Sequence, residues 1–274
     1  EYKFLPLIIA IFFIAVGLRY FPARNIEYLQ ALDPYNLFRM SQEIAYTGSL
    51  PELDFMRYFP YAAPTYTVHL GNLAIPAMFY WLGGSFLFDS YLSFAHFIIP
   101  VISGLSAVTM YFLGKELYNR TTGIAAAFFI AVLPGAMFRS SAGFFEKEPT
   151  GTLLMLGSLL FFTMAWKRKK WAYGILSGLS LGLFTITWGG SQMMWLLYPM
   201  IAGFMLLIDQ DIEQLLKAYT PTILVGAGFA AIFNPGNFWV TDTLFMLAAG
   251  FMALIWARYL VAELELLSES QLPY

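Results

Sequence analysis

The sequence has no cysteine, which excludes a disulfide framework and any thiolate metal centre. Charge is scarce too: charged residues fill 12% of 274 positions, against about 25% in a soluble domain. The balance of 15 Lys+Arg against 17 Asp+Glu, net −2, leaves no basic footprint, so no nucleic-acid partner is expected. Histidine occurs only as His69 and His96, far apart and without ligand spacing, and both remain unassigned. No repeat of 20–50 residues is visible. What is abundant is apolar: hydrophobic residues make up 59% of the chain, more than one soluble core can use. Disorder, a collagen-like chain and a cytosolic globule are excluded, and the long apolar stretches read as membrane spans.

Segments of spanning length fall near 4–20, 90–114, 122–138, 152–166, 171–187, 193–208, 219–234 and 241–262. They predict an all-α, polytopic membrane bundle of eight spans. A ninth stretch, 73–88, is interrupted by Pro76 and Gly83-Gly84 and is too short without them, so it is expected to be interfacial or re-entrant. The first segment ends in Arg19, Pro22 and Arg24 without an Ala-x-Ala exit and reads as a retained span, not a cleaved signal. Lys167-Arg168-Lys169-Lys170 is the densest basic cluster and is placed inside. Residues 21–89, residues 139–151 and the Trp188-Gly189-Gly190 turn then all lie outside. The inside loop 209–217 carries Asp209, Asp211 and Glu213 against Lys217, which weighs little because orientation does not follow net charge. Ser103-Gly104-Leu105-Ser106-Ala107 and Ser177-Gly178-Leu179-Ser180 supply small residues for close helix contacts. A chain that starts at Glu1 and stops at Tyr274 has the look of a piece of a longer protein.

Asp242 apart, acidic residues avoid the span interiors, as the expense of a carboxylate at mid-bilayer dictates. The candidate chemistry therefore sits in the external loops. In Leu32-Asp33-Pro34-Tyr35-Asn36-Leu37-Phe38-Arg39, Asp33 reads as an N-cap and Pro34 as the first residue of an amphipathic helix bearing Leu37, Phe38 and Ile44. That role and a functional one do not exclude each other. In Arg139-Ser140-Ser141-Ala142-Gly143-Phe144-Phe145-Glu146-Lys147-Glu148-Pro149, carboxylates at i and i+2 share a face only in extended backbone. Pro149 biases Glu148 toward that form and suits the first position of the next span. Glu146 and Glu148 then converge while Lys147 turns away. Such a pair repels itself unless a cation intervenes, and a hard divalent ion, Mg²⁺ or Mn²⁺, suits it; the alternative is a solvated loop end balanced by Lys147. Three carboxylates, Asp33, Glu146 and Glu148, on one side of the bundle would form a metal site for a phosphate-bearing ligand. Trp188 either stacks on a ligand or anchors a helix end at the interface. Arg57-Tyr58-Phe59-Pro60-Tyr61 reads as interfacial packing.

With these motifs in order, the chain resembles the catalytic subunit of oligosaccharyltransferase, most like the archaeal form, within the GT-C class of membrane glycosyltransferases. The resemblance rests on Asp33-Pro34-Tyr35 and Arg39 in a long first loop, Leu133-Pro134-Gly135 leading into the segment from Arg139 to Glu148, and then Trp188-Gly189-Gly190. It implies that Asp33 ligates a metal and contacts the acceptor amide, and that Glu146 and Glu148 are the paired acids of the second loop. Relatives carry Asp in the first place of that pair. The implied reaction moves a glycan from a dolichyl phosphate or diphosphate to the Asn of an Asn-x-Ser/Thr sequon, with inversion. The implied partners are thus a lipid-linked oligosaccharide, an acceptor polypeptide and membrane lipid. Arg139 would meet an acidic neighbour or an anionic head group. The family's further external Glu and its C-terminal Trp-Trp-Asp domain are not in this chain, which alone is expected to be inactive. An O-mannosyl or aminoarabinose transferase of the same class shares the acidic first loop, and a transporter or scaffold bundle is the non-enzymatic alternative. The chain's own Asn119-Arg120-Thr121 is a sequon in a predicted inside loop and is expected to be unmodified.

Overall fold

The structure, a computed structural model, describes residues 4–208, 211–233 and 242–263. Leu5–Tyr20 (α1) is followed by the long first loop, which contains helix α2 (Asp33–Thr47), the two-residue strands β1 (Leu53–Asp54) and β2 (Ala63–Pro64), helix α3 (Leu70–Phe79) and a turn α4 (Ser85–Leu87). The bundle continues with α5 (Tyr91–Leu117), α6 (Arg120–Val132), α7 (Pro134–Phe138), α8 (Lys147–Arg168), α9 (Trp171–Thr187), α10 (Gln192–Leu207), α11 (Ile212–Phe233) and α12 (Thr243–Glu263). Among the described residues six helices are long and apolar enough to cross a membrane, while α6 and α9 are apolar but shorter. The polytopic all-α bundle expected from the sequence is therefore present.

One expected span is divided. Residues 122–138 form α6 and α7 with a break at Leu133, whose backbone is extended (φ −65°, ψ 119°) before Pro134. A residue before proline is pushed out of the helical region, so α6 stops there and α7 restarts with Pro134 as its first residue. In the stretch 73–88, α3 is ten residues long and runs through Pro76 without the expected interruption, then gives way to a wide turn over Tyr80–Gly84 that breaks at Gly83. Asp242 starts α12 by accepting the Leu244 N–H at 2.8 Å, so it sits at a helix end; Asp209 lies outside the described residues.

Small residues set the helix spacing in the bundle. A Cβ on Gly178 would meet the Pro221 carbonyl oxygen at 2.6 Å, so α9 and α11 touch backbone to backbone. Without a hydrophobic drive in lipid, such close approach and interhelical hydrogen bonds hold helices together. Ser158, Ser177 and Tyr198 supply the bonds, with Ser158 Oγ 2.6 Å from the Tyr198 hydroxyl and Ser177 donating to the Ser158 carbonyl at 2.9 Å.

The first loop is packed, not draped. Buried Leu29, Met40, Ile44, Leu73 and Ala77 share a core with Tyr91, Phe94, Ile98 and Ile102 of α5. Ser41 donates to the Leu73 carbonyl at 2.7 Å, and Trp81 donates to the Ala45 carbonyl at 2.7 Å. Phe145 of the second loop, 1% exposed, enters the same core and meets Phe38 edge-on at 5.9 Å. The two loops therefore share one hydrophobic anchor, and Glu146 follows it directly in sequence.

Candidate active site

Each acidic candidate sits at the start of a helix. Ala31 turns the chain with φ +74° and Leu32 is already helical, so Leu32 is the N-cap of α2. Asp33 is the first residue inside the helix, with no side-chain capping bond, and Pro34 is second. The expected N-cap at Asp33 is thus off by one residue. Its exposed carboxylate still lies in the first turn, where the helix dipole favours negative charge.

The Glu146–Glu148 pair corrects a larger expectation. Glu146 is extended (φ −120°, ψ 168°) and is the N-cap of α8, but Lys147 and Glu148 are already helical and Pro149 is the third residue. A proline there removes an N–H that has no partner in a first turn anyway, so its bias on Glu148 is overridden. The carboxylates still converge, one from a cap and one from a first turn. Arg139 Nη1 lies 3.5 Å from Glu146 Oε1 and 3.4 Å from Glu148 Oε1. Charge-assisted bonds of this kind normally run at about 2.7–2.9 Å, so one half-exposed guanidinium bridges both acids without gripping either. Lys147 does not leave the site: its charge acts on both Glu146 and His69.

Burial and the negative charge of Glu148 push the Glu146 carboxyl above the usual glutamate range, Lys147 and Arg139 oppose that, and Asp33 adds to it. Asp33 is therefore within electrostatic reach of Glu146, without being grouped with the pair. Glu148 Oε2 is buried with no hydrogen-bond partner, as is Thr150 Oγ1 two residues on. Among the described residues no three His, Cys, Asp or Glu side chains are grouped closely enough to hold a metal ion.

Beside the pair lies a cavity of about 250 Å³ lined by Arg19, Arg139, Ser140, Glu148, Pro149 and Trp188. Trp188 is packed on one side and open to the cavity on the other. Its ring packs against Phe184 at 6.1 Å and so close to Gly151 that a Cβ there would lie 2.9 Å away, yet it also lines the cavity.

Three site residues escaped the sequence reading. Arg19, 2% exposed, stood in the sequence only as the polar end of a span. Its Nε donates to Ser140 Oγ at 2.8 Å, Nη1 to the carbonyls of Ala15 and Ala131 at 3.0 and 2.7 Å, and Nη2 to Ile130 at 3.2 Å. Its own carbonyl accepts from the Ala142 N–H at 3.0 Å. Gln30 completes the lashing: its backbone N–H donates to the Gly143 carbonyl at 2.9 Å and its side chain to that of Ala142 at 3.1 Å. Gly143 makes the turn between them at φ +88°, a conformation that favours glycine. His69 lies against the turn after Trp188, where a Cβ on Gly189 would be 3.7 Å from its Nε2. Burial and Lys147 hold its pKa below the usual value, and its Nδ1 is buried without a partner. His96 Nε2 donates to the Tyr28 carbonyl, 3.3 Å away, and ties α5 to the first loop.

Arg39, part of the motif in the first loop, is bound to Asp54 at 2.5 Å. Burial raises the Asp54 pKa, but Arg39, the Met56 N–H and Arg57 more than offset it, and the carboxyl ends below the usual range. This buried ion pair fixes the β1–β2 hairpin against α2, so Arg39 shapes the loop that carries Asp33.

The family model described as oligosaccharyl transferase STT3, N-terminal, matches residues 4–270. The chain is 25% identical over 232 residues to the dolichyl-diphosphooligosaccharide–protein glycosyltransferase subunit STT3 of Saccharomyces cerevisiae, covering 81% of this chain and 32% of that one. It is 27% identical over 194 residues to dolichyl-phosphooligosaccharide-protein glycotransferase 3 of Archaeoglobus fulgidus, covering 63% and 21%. In fold it is similar to the apo form of an oligosaccharyltransferase of Archaeoglobus fulgidus, with a TM-score of 0.81, 20% identity, and coverage of 98% of this chain and 34% of that one. The chain thus spans about a third or less of the length of these relatives.

Proposed function

Since the chain belongs to the oligosaccharyl transferase STT3 family, in its N-terminal part, we propose that residues 1–274 are a part of the membrane domain of an enzyme of protein N-glycosylation. The enzyme transfers an oligosaccharide from a dolichyl phosphate or diphosphate to the Asn of an Asn-x-Ser/Thr sequon, with inversion. Residues 21–89 and 139–151 are its two external loops, and the site lies on the external face. The observation that carries this reading is the Glu146–Glu148 pair bridged by Arg139, with Asp33 within electrostatic reach of Glu146, beside a cavity lined by Arg139, Glu148 and Trp188. Related proteins support the substrates: one solved relative, AglB of Archaeoglobus fulgidus, is in complex with an inhibitory peptide and a dolichol-phosphate.

Glu146 and Glu148 would hold the divalent ion, Mn²⁺ or Mg²⁺, and Asp33, which is not grouped with them in this structure, would complete the ligand set by moving closer. Two observations favour that fit: Glu148 Oε2 is buried with no partner, and Glu146 is under-compensated by the cations around it. When bound, the ion supplies Lewis-acid neutralisation of charge on the leaving phosphate. The chain's residues do the rest. Arg139 can pair with a phosphate oxygen as it does with a carboxylate. Trp188 offers an aromatic wall at the cavity mouth. A carboxylate that accepts the acceptor amide N–H groups would orient a poor nucleophile, and such positioning supplies several kcal/mol.

In the full-length protein, Asp33→Ala or Glu148→Ala is expected to reduce transfer to a sequon peptide by at least a hundredfold while leaving the protein folded. Unchanged transfer would remove the site assignment. Mn²⁺ binding that survived Glu146→Gln and Glu148→Gln together would remove the metal alone.

A further inference from the structure

At the opposite end of the bundle, α10 stands apart from α5 and α8 and leaves a groove of about 360 Å³. Its walls are Leu113 and Leu117 of α5, Leu159, Phe162 and Trp166 of α8, and Ile201 and Met205 of α10. The only other side chains on it are Thr163, whose hydroxyl is spent on the Leu159 carbonyl at 2.8 Å, and Lys167 at the mouth. From Leu159 to Lys167 the wall runs about 12 Å, at 1.5 Å per helical residue. It thus begins among apolar side chains and ends at an ammonium group, passing a tryptophan of the kind that marks membrane–water boundaries.

The charges at this mouth are unequal. Lys167, Arg168, Lys169 and Lys170 stand in a row. Arg168 is matched by Glu116 at 2.5 Å and Lys169 by Asp211 at 2.6 Å, and Glu213 is held by Lys217 at 2.5 Å. Lys167 donates only to the carbonyl oxygens of Glu116 and Leu117. Among the described residues neither Lys167 nor Lys170 has a carboxylate partner. An ammonium group at the mouth of an apolar groove, with a second, exposed one three residues along the chain, matches an amphiphile with one negative head and a hydrocarbon tail.

We propose that this groove is a binding site for an anionic glycerophospholipid, with an acyl chain between α5, α8 and α10 and the phosphate held by Lys167 and Lys170. The face is the one the basic cluster places in the cytoplasm, where the leaflet is rich in anionic lipid. Each lysine near such a head group contributes about 1 kcal/mol, a factor of about five.

The test is native mass spectrometry of the delipidated protein mixed with equal amounts of phosphatidylglycerol and phosphatidylcholine of the same acyl chains. The expected result is preferential retention of phosphatidylglycerol, about fivefold lower in Lys170→Gln and equal to phosphatidylcholine in Lys167→Gln/Lys170→Gln. Leu159→Trp, which fills the groove, should reduce both. Lys170 is exposed, and its change leaves the fold intact. Equal retention of the two lipids by the unaltered protein, or an undiminished preference in Lys170→Gln, would overturn the proposal. So would a polyprenyl phosphate that displaces phosphatidylglycerol completely.

Discussion

Glu146 shows how much a single buried charge can say about a site. At 2% exposure, with its pKa raised by burial and by Glu148, the ionised form is less stable in the fold than in water. Its contribution to stability is therefore full below the unfolded glutamate pKa and is lost as pH rises through the higher folded value. Glu146→Gln keeps the shape and removes the charge. Its thermal midpoint should exceed that of the unaltered protein at pH 7, and the difference should close as pH falls below about 4. A lower midpoint for Glu146→Gln at pH 7 would mean that the Arg139 pair outweighs the burial. A gain in stability coupled to a loss of transfer is the pattern of a functional site that holds charge for a ligand. At this scale the sequence was informative about which two acids come together and less so about how they meet. The i and i+2 spacing of Glu146 and Glu148 was legible, but the extended backbone inferred from Pro149 was not the route. The first turn of a helix tolerates proline and presents the same two acids to Arg139 from a cap and a turn.

Arg19 acts on the scale of elements. Its guanidinium closes the end of α6 by taking the Ile130 and Ala131 carbonyls and reaches Ser140 at the start of the second loop, while its carbonyl holds Ala142. One side chain thus fixes α1, α6 and the segment that carries Arg139, and it is a positioning residue for the pair. Arg19→Met would leave those buried carbonyls and Ser140 short of a donor, at about 1–3 kcal/mol for each group left unsatisfied. Amide hydrogen exchange should then accelerate in residues 140–146 and stay unchanged in 154–166, with partial recovery in Arg19→Lys. Uniform acceleration over the whole bundle would instead mark a general packing role. None of this was visible in the sequence, because a basic residue at the end of an apolar run reads as a membrane boundary. Its partners are mostly main-chain carbonyls, which leave no pattern in side chains. The division of 122–138 at Leu133 was missed for the opposite reason. Pro134 was in plain view, but the apolar composition of the stretch carried the prediction across it. In 73–88 it is Gly83, not Pro76, that breaks the helix: α3 runs through the proline and packs against α2 and α9.

The seam between α9 and α11 governs the molecule as a whole. Gly178→Ala would put a methyl 2.6 Å from the Pro221 carbonyl oxygen and 2.8 Å from Val225 Cβ, and such overpacking costs about 1–3 kcal/mol. Gly228 on α11 has nothing within 4 Å of its missing Cβ, so Gly228→Ala should be neutral or stabilising by up to about 1 kcal/mol through helix propensity. Thermal midpoints in one detergent compare the two directly, and equal midpoints would show that the seam has slack. Orientation is the remaining property at this scale, and the absence of cysteine from residues 1–274 means that none of them competes with one introduced there. The basic cluster places Lys170 inside and the first loop outside. Tyr61, 89% exposed at the hairpin tip, should as Tyr61→Cys react in intact cells with a maleimide that cannot cross the membrane, whereas Lys170→Cys should react only after permeabilisation. Asn119 gives an internal check. It lies in the turn between α5 and α6, on the inside by the same argument, and its side chain caps α6 by accepting the Thr122 N–H at 2.9 Å. It should carry no glycan. A glycan on Asn119 together with reversed labelling would invert the bundle and move Asp33, Glu146 and Glu148 to the side where the basic cluster is expected.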